Sequence, residues 1–192
     1  IVGGAVIVWV QVGGDPSPRT ERRPPEPSVI NRTESRIEAA DLPVLRPAPD
    51  LVELDGWLQT EADSLDDFEG KVLVVQFWTF SCRNCKATIP NLQEIYSTYG
   101  RHQVEIVGVH APEFSFEEDP AAVLTAATEL GVNWPIALDT GKRNFHGWQE
   151  GRTAYWPRTY VIDGHGQIRF DHIGEGKYEE LRDAVAALVA EL

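Results

Sequence analysis

The chain has 192 residues, 42% of them hydrophobic, two cysteines and a formal net charge of −13. That length supports one good core with some tail and hardly two. The negative balance excludes the basic surface that nucleic-acid phosphates require, and two cysteines exclude a disulfide-rich miniature scaffold.

The opening "IVGGAVIVWVQVGG" carries no charge over fourteen positions. As a helix it would span about 21 Å, short of a hydrocarbon core of about 30 Å. The chain contains no methionine, so its natural start is expected further upstream. Residues 1–14 are then read as the outer end of a membrane anchor, with Trp9 near the interface. A signal-peptide core or a buried strand are the other readings. Residues 15–48 are dominated by proline and by balanced charge: six arginines and six acids lie between Asp15 and Pro47. No apolar period is sustained there, so a linker is expected. It contains one Asn-Arg-Thr glycosylation pattern at Asn31.

Residues 49–192 read as globular. "KVLVVQFW" (71–78) and "QVEIVGVH" (103–110) are continuous apolar runs of the kind a strand buried on both faces shows. Between them, Arg83 to Tyr99 reads as a helix with Ile89, Leu92, Ile95, Tyr96 and Tyr99 on one face. A second helix has Asp119 as N-cap, Pro120 in its first turn and Gly131 past its end. "RTYVID" and "QIRFDHI" flank Gly164-His165-Gly166 as a hairpin, and Tyr178 to Leu192 closes the chain as an amphipathic helix. A parallel β-α-β start followed by an antiparallel hairpin predicts an α/β fold with helices on both faces of a mixed sheet.

Cys82 and Cys85 lie in "FWTFSCRNC", where the first apolar run ends and the first helix begins. A sulfur there meets free backbone N–H groups and the positive end of the helix dipole, which favour the thiolate. Arg83 and Lys86 add positive charge in the same turn. Cys82 is therefore the expected nucleophile, and Cys85, one turn deeper, the thiol that resolves a mixed disulfide. Two other readings stand beside this one. A bridge closing so short a loop would contribute only about 2 kcal/mol. A zinc site needs about four ligands, and the five histidines include no closely spaced pair.

"FWTFSCRNC", Pro90 five residues later and "YWPRTYVIDGHGQIRF" resemble the thioredoxin superfamily. Within it the chain looks most like the membrane-tethered TlpA/ResA-like proteins and the C-terminal thioredoxin domain of DipZ-type proteins. "LDGWLQT", "GVHAPEFSFEEDP" and "HIGEGKYEE" fit the latter pattern. The resemblance implies a thioredoxin-like fold and assigns Pro157 as the cis-proline facing the thiols, with Trp156 before it as a wall for an extended substrate peptide. Trp78, Phe80 and Tyr155 would crowd the same rim, and His110 and Glu113 would either influence the thiols or shape their loop. The resemblance further implies a thiol–disulfide oxidoreductase on the extracytoplasmic side of a bacterial membrane, acting on protein thiols and disulfides without a cofactor or metal. It favours a reductant drawing electrons from a membrane partner of the CcdA/DsbD type, for instance toward apocytochrome c thiols. One departure stands out. Where relatives carry a carboxylate six residues before the first cysteine, or a glutamate three after the second, this chain has Gln76 and Thr88. Two alternatives remain: a peroxiredoxin-like peroxidase, since Thr79 stands three residues before Cys82, and a Cu(I) chaperone using both thiols and a histidine.

Overall fold

The computed structural model describes residues 37–150 and 153–192. The expected anchor, most of the expected linker and Asn31 lie outside the described residues. Seven strands form one sheet in the order β1-β7-β6-β3-β4-β5-β2. They are β1 (Arg46–Pro47), β2 (Gly56–Leu58), β3 (Val72–Trp78), β4 (Val104–His110), β5 (Ile136–Leu138), β6 (Arg158–Ile162) and β7 (Gln167–Ile173). The helices are α1 (Arg83–Thr98), α2 (Pro120–Leu130), α3 (Arg143–Trp148) and α4 (Tyr178–Val189). Among the described residues, no helix is long and apolar enough to cross a membrane.

The centre of the sheet follows from β3. All seven of its residues are buried, because β4 pairs with it in parallel on one side and β6 antiparallel on the other. Side chains alternate across a strand. Val72, Val74 and Trp78 enter the core with Ile89, Leu92 and Ile95 of α1, Val123 and Ala127 of α2, and Leu181, Val185 and Leu188 of α4. Leu73, Val75 and Phe77 face the opposite core with Phe145 and Trp148 of α3 and Tyr160 of β6. Each large aliphatic side chain buried this way contributes about 1.5–3 kcal/mol relative to exposure. Gln76 is the one polar residue on the α1 side of this strand.

The helix punctuation acts locally. Asp119 accepts the Ala121 N–H at the start of α2, and Gly131 ends it with φ +69°. The Gln93 amide then caps the last carbonyls of α2, at Leu130 and Gly131 (3.2 and 2.9 Å). The hairpin between β6 and β7 turns on Asp163, whose carboxylate accepts the N–H groups of His165 and Gln167 (both 3.0 Å).

Two features lie beyond the sequence expectations. The strands β1, β2 and β5 and the six-residue α3 were not anticipated. For α3 the support is tertiary: the Asp139 carboxylate, just past β5, accepts the N–H groups of Asn144 and Phe145. Residues 39–48, expected as the end of the linker, pack onto the folded body. Strand β1 pairs with β7, and the buried Arg169 guanidinium donates to the carbonyls of Ala39, Leu42 and Pro43 while pairing with Asp163 at 2.9 Å.

Candidate active site

Strand β3 ends at Trp78, and a short loop carries the chain to Cys82, the N-cap of α1. The Cys82 sulfur accepts the Cys85 N–H at 3.2 Å. Cys82 is partly exposed, Cys85 is fully buried, and both are free thiols. The two sulfurs differ electrostatically. Donation from the Cys85 side chain, helped by the backbone N–H groups of Cys85 and Asn84, lowers the Cys82 thiol from 9.0 to about 7, against burial and the negative charge of Glu113. Burial pushes the Cys85 thiol far up, and its contact with Cys82 pushes the same way. One sulfur is thus ready to ionise near neutral pH, while its neighbour holds its proton.

Behind Cys85 lies a neutral polar network. The Gln76 amide donates to the hydroxyls of Thr88 (3.0 Å) and Thr159 (3.1 Å). The Thr88 hydroxyl is also 2.7 Å from the Cys85 carbonyl. Gln76 and Thr159 face each other across the β3–β6 register, so the sheet itself brings them together. The two positions that lack a carboxylate are therefore joined to each other by hydrogen bonds.

A carboxylate enters from elsewhere, and it is Glu117. Its side chain is fully buried. One oxygen accepts the Thr79 hydroxyl and the Ser81 N–H (3.1 Å), while the other accepts the N–H groups of Glu113 (2.7 Å) and Phe114 (2.9 Å). Burial disfavours its charge, yet the donors at Thr79, Ser81 and Phe114 prevail and bring it to about 2. His110 Nε2 lies 3.4 Å from the Thr79 hydroxyl. Burial lowers His110 to about 4 despite the charge of Glu117, so the ring is neutral at physiological pH. Glu117 escaped the sequence reading because it adjoins Glu118 in an acidic run. Its partners at positions 79 and 81 lie far away along the chain.

Pro157 directly precedes β6. The register Phe77↔Arg158 sets it beside the end of β3, and the Trp156–Pro157 peptide bond is cis. Trp156 is half-buried. Its indole N–H donates to the Ala111 carbonyl (2.9 Å), and its ring stacks on Phe145 at 4.1 Å. Phe80 lies stacked on His110, and Tyr155 is half exposed. Trp78, expected at the rim, is instead a core residue, edge-on to His110. Among the described residues, no group of three His, Cys, Asp or Glu side chains converges as a metal site.

A dithiol capping the helix that follows the central strand of a mixed sheet, with a cis-proline at the start of the neighbouring strand, defines a thioredoxin-like domain. The sequence comparisons agree with the geometry: residues 44–171 match the AhpC/TSA family model, and the chain belongs to that family. It is 38% identical over 154 residues to protein DipZ of Mycobacterium bovis, covering 79% of this chain and 22% of that protein. The chain thus spans about a fifth of the length of DipZ. It is 28% identical over 146 residues to the thiol-disulfide oxidoreductase YkuV of Bacillus subtilis, covering 76% of this chain and 96% of YkuV. Among solved structures, a thiol-disulfide isomerase from Corynebacterium glutamicum superposes with a TM-score of 0.65 at 26% identity, covering 76% of this chain and 98% of that one.

Proposed function

We propose that this domain is a thiol–disulfide oxidoreductase that exchanges disulfides with protein substrates through Cys82 and Cys85. The observation that carries the reading is the asymmetry of the pair: a partly exposed sulfur lowered to about 7 beside a buried one held protonated. The Cys82 thiolate attacks one sulfur of a substrate disulfide; that S–S bond breaks and the departing substrate sulfur takes a proton. Cys85 then loses its proton and attacks the Cys82 sulfur of the mixed disulfide. The Cys82–Cys85 bond forms, and the second substrate sulfur leaves as a thiol. The substrate has gained two electrons and the domain has lost two. Trp156 and the backbone before Pro157 are the proposed wall and edge for an extended substrate segment.

Residues 1–14 as a membrane anchor, the part of the 15–48 segment ahead of the folded body as a tether and an extracytoplasmic location complete the reading. The domain acts as a reductant in it, recharged by a membrane dithiol partner. The name of YkuV, a thiol-disulfide oxidoreductase, supports the class of chemistry, and the uncharged opening of the chain supports the anchor.

A peroxidase is the second reading, because Thr79 stands three residues before Cys82. The Thr79 hydroxyl, however, is donated to Glu117. Turnover of a protein disulfide with dithiothreitol as electron source, set against peroxide consumption by the same preparation, separates the two. Disulfide turnover that disappears in Cys82→Ser supports exchange; rapid peroxide consumption with inert disulfides overturns it.

A further inference from the structure

The exchange chemistry leaves a set of aromatic side chains beside the thiols without a role. Phe114 and Phe116 are 50% and 59% exposed, and their rings stack 5.6 Å apart at an interplanar angle of 7°. Phe116 meets Phe80 edge-on at 6.1 Å, and Phe80 lies on His110 at 5.7 Å. Phe80 precedes Cys82 by two residues. Aromatic surface therefore runs from the nucleophile's own loop out to the tip of the loop after β4.

This surface is held in place. The buried Glu117 carboxylate grips the N–H groups of Glu113 and Phe114 with one oxygen, and the Thr79 hydroxyl and Ser81 N–H with the other. A single ionised side chain thus ties the aromatic loop to the thiol loop. A surface fixed before contact loses little freedom on binding. The aromatic loop is acidic: Glu113, Glu118 and Asp119 are exposed beside the two phenylalanines in sequence, and the charge of Glu113 is felt at Cys82, whereas the exposed Arg83 and Lys86 stand on the first turn of α1.

We propose that Phe80, Phe114 and Phe116 form a specificity subsite for an apolar side chain near the target cysteine of an extended, positively charged protein segment. The inference rests on the exchange reading and names the substrate class for it. Phe80 lies two residues before Cys82, so the apolar residue falls within about three positions of the substrate sulfur. The acids of the aromatic loop favour lysine or arginine on the side of the segment that meets Phe114 and Phe116, by an attraction that salt weakens.

The test compares two disulfide-bonded peptides of equal length. One carries leucine and lysine within three positions of its cysteine, and the other carries serine and glutamate there. Second-order rate constants with the reduced full chain are followed by tryptophan fluorescence. Wild type is expected to prefer the leucine–lysine peptide by about tenfold, equal to about 1.4 kcal/mol. In F114A/F116A the ratio is expected to fall toward that set by charge alone, and further with added salt. Each ratio is internal to one protein, so a reduced active fraction cancels. Finite rates with no preference in wild type, or a wild-type ratio retained by the variant, overturn the subsite alone. A wild type inert to both peptides overturns the exchange reading and the subsite with it.

Discussion

Replacing Cys85 with alanine removes the strongest of the interactions that hold the Cys82 thiol at about 7 instead of 9.0. The backbone donors of Cys85 and Asn84 remain, opposed by burial and by Glu113. If the lost contact accounts for half of the depression, the Cys82 midpoint rises to about 8, and the thiolate fraction near pH 6 drops about tenfold. A more basic thiolate is intrinsically the better nucleophile, by about threefold per pH unit. The alkylation rate near pH 6 should therefore fall by only about three- to fourfold, while its midpoint moves up by about one unit. The assay is the pH dependence of iodoacetamide alkylation of the reduced protein, with thiolate absorbance as a second readout. Burial keeps Cys85 out of the titration window, so the wild-type profile reports Cys82 alone. A midpoint unmoved by Cys85→Ala, or a wild-type midpoint near 9, would refute the reasoning.

Acid should unfold the domain in two stages. His110 sits at about 4 in the folded protein against 6.5 ordinarily, so the unfolded chain binds the proton first and stability falls as pH drops from 6.5 to about 4. Glu117 sits at about 2 against 4.5; its contribution is full above 4.5 and lost as pH falls toward 2. Each group sets a slope of at most about 1.4 kcal/mol per pH unit. Urea titrations across this range should show the upper stage abolished in His110→Phe, and an unchanged profile would contradict the assignment. Arg169→Met strands the Asp163 carboxylate and the carbonyls of residues 39–43, and is expected to lower unfolding free energy by about 3–5 kcal/mol; a loss below about 1 kcal/mol in the same titration would show that the 39–48 segment is held otherwise. Gln76→Asp puts an acid into a neutral buried network with no cation, so its folded pKa should lie above the unfolded one. That variant should lose stability relative to wild type as pH rises from about 4 toward neutrality, and the pH dependence of thiol exchange should change with it. An unchanged exchange profile would separate Gln76 functionally from Cys85.

The parts of the fold legible in the sequence are those whose signals are local. The unbroken apolar runs of β3 and β4, the Asp119 and Gly131 punctuation of α2 and the Gly-His-Gly turn each carry their own physical reason. The elements missed are short and held from outside: β5 is three residues, paired with β4 on one side and the equally short β2 on the other, and α3 depends on the Asp139 carboxylate reaching forward to its first N–H groups. The same division holds at the site. Cys82 and Cys85 could be read because strand, thiols and helix are contiguous, whereas Glu117 reaches the thiol loop only through donors 36 to 38 residues earlier. Trp78 was expected at the rim because it neighbours the motif. It lies inside because position 78 continues the alternation that points Val72 and Val74 at α1.

The account is tested most directly by trapping the exchange intermediate. Reduced wild type, Cys82→Ser and Cys85→Ser are each mixed with a disulfide-bonded peptide, quenched in acid and weighed intact. Cys85→Ser should accumulate a peptide adduct mapped to position 82, Cys82→Ser should form none, and wild type should pass through the adduct to an internal disulfide. An adduct that forms on Cys85 when Cys82 is absent, or a Cys85→Ser protein that stays unmodified, would contradict the assignment of attacking and resolving sulfurs.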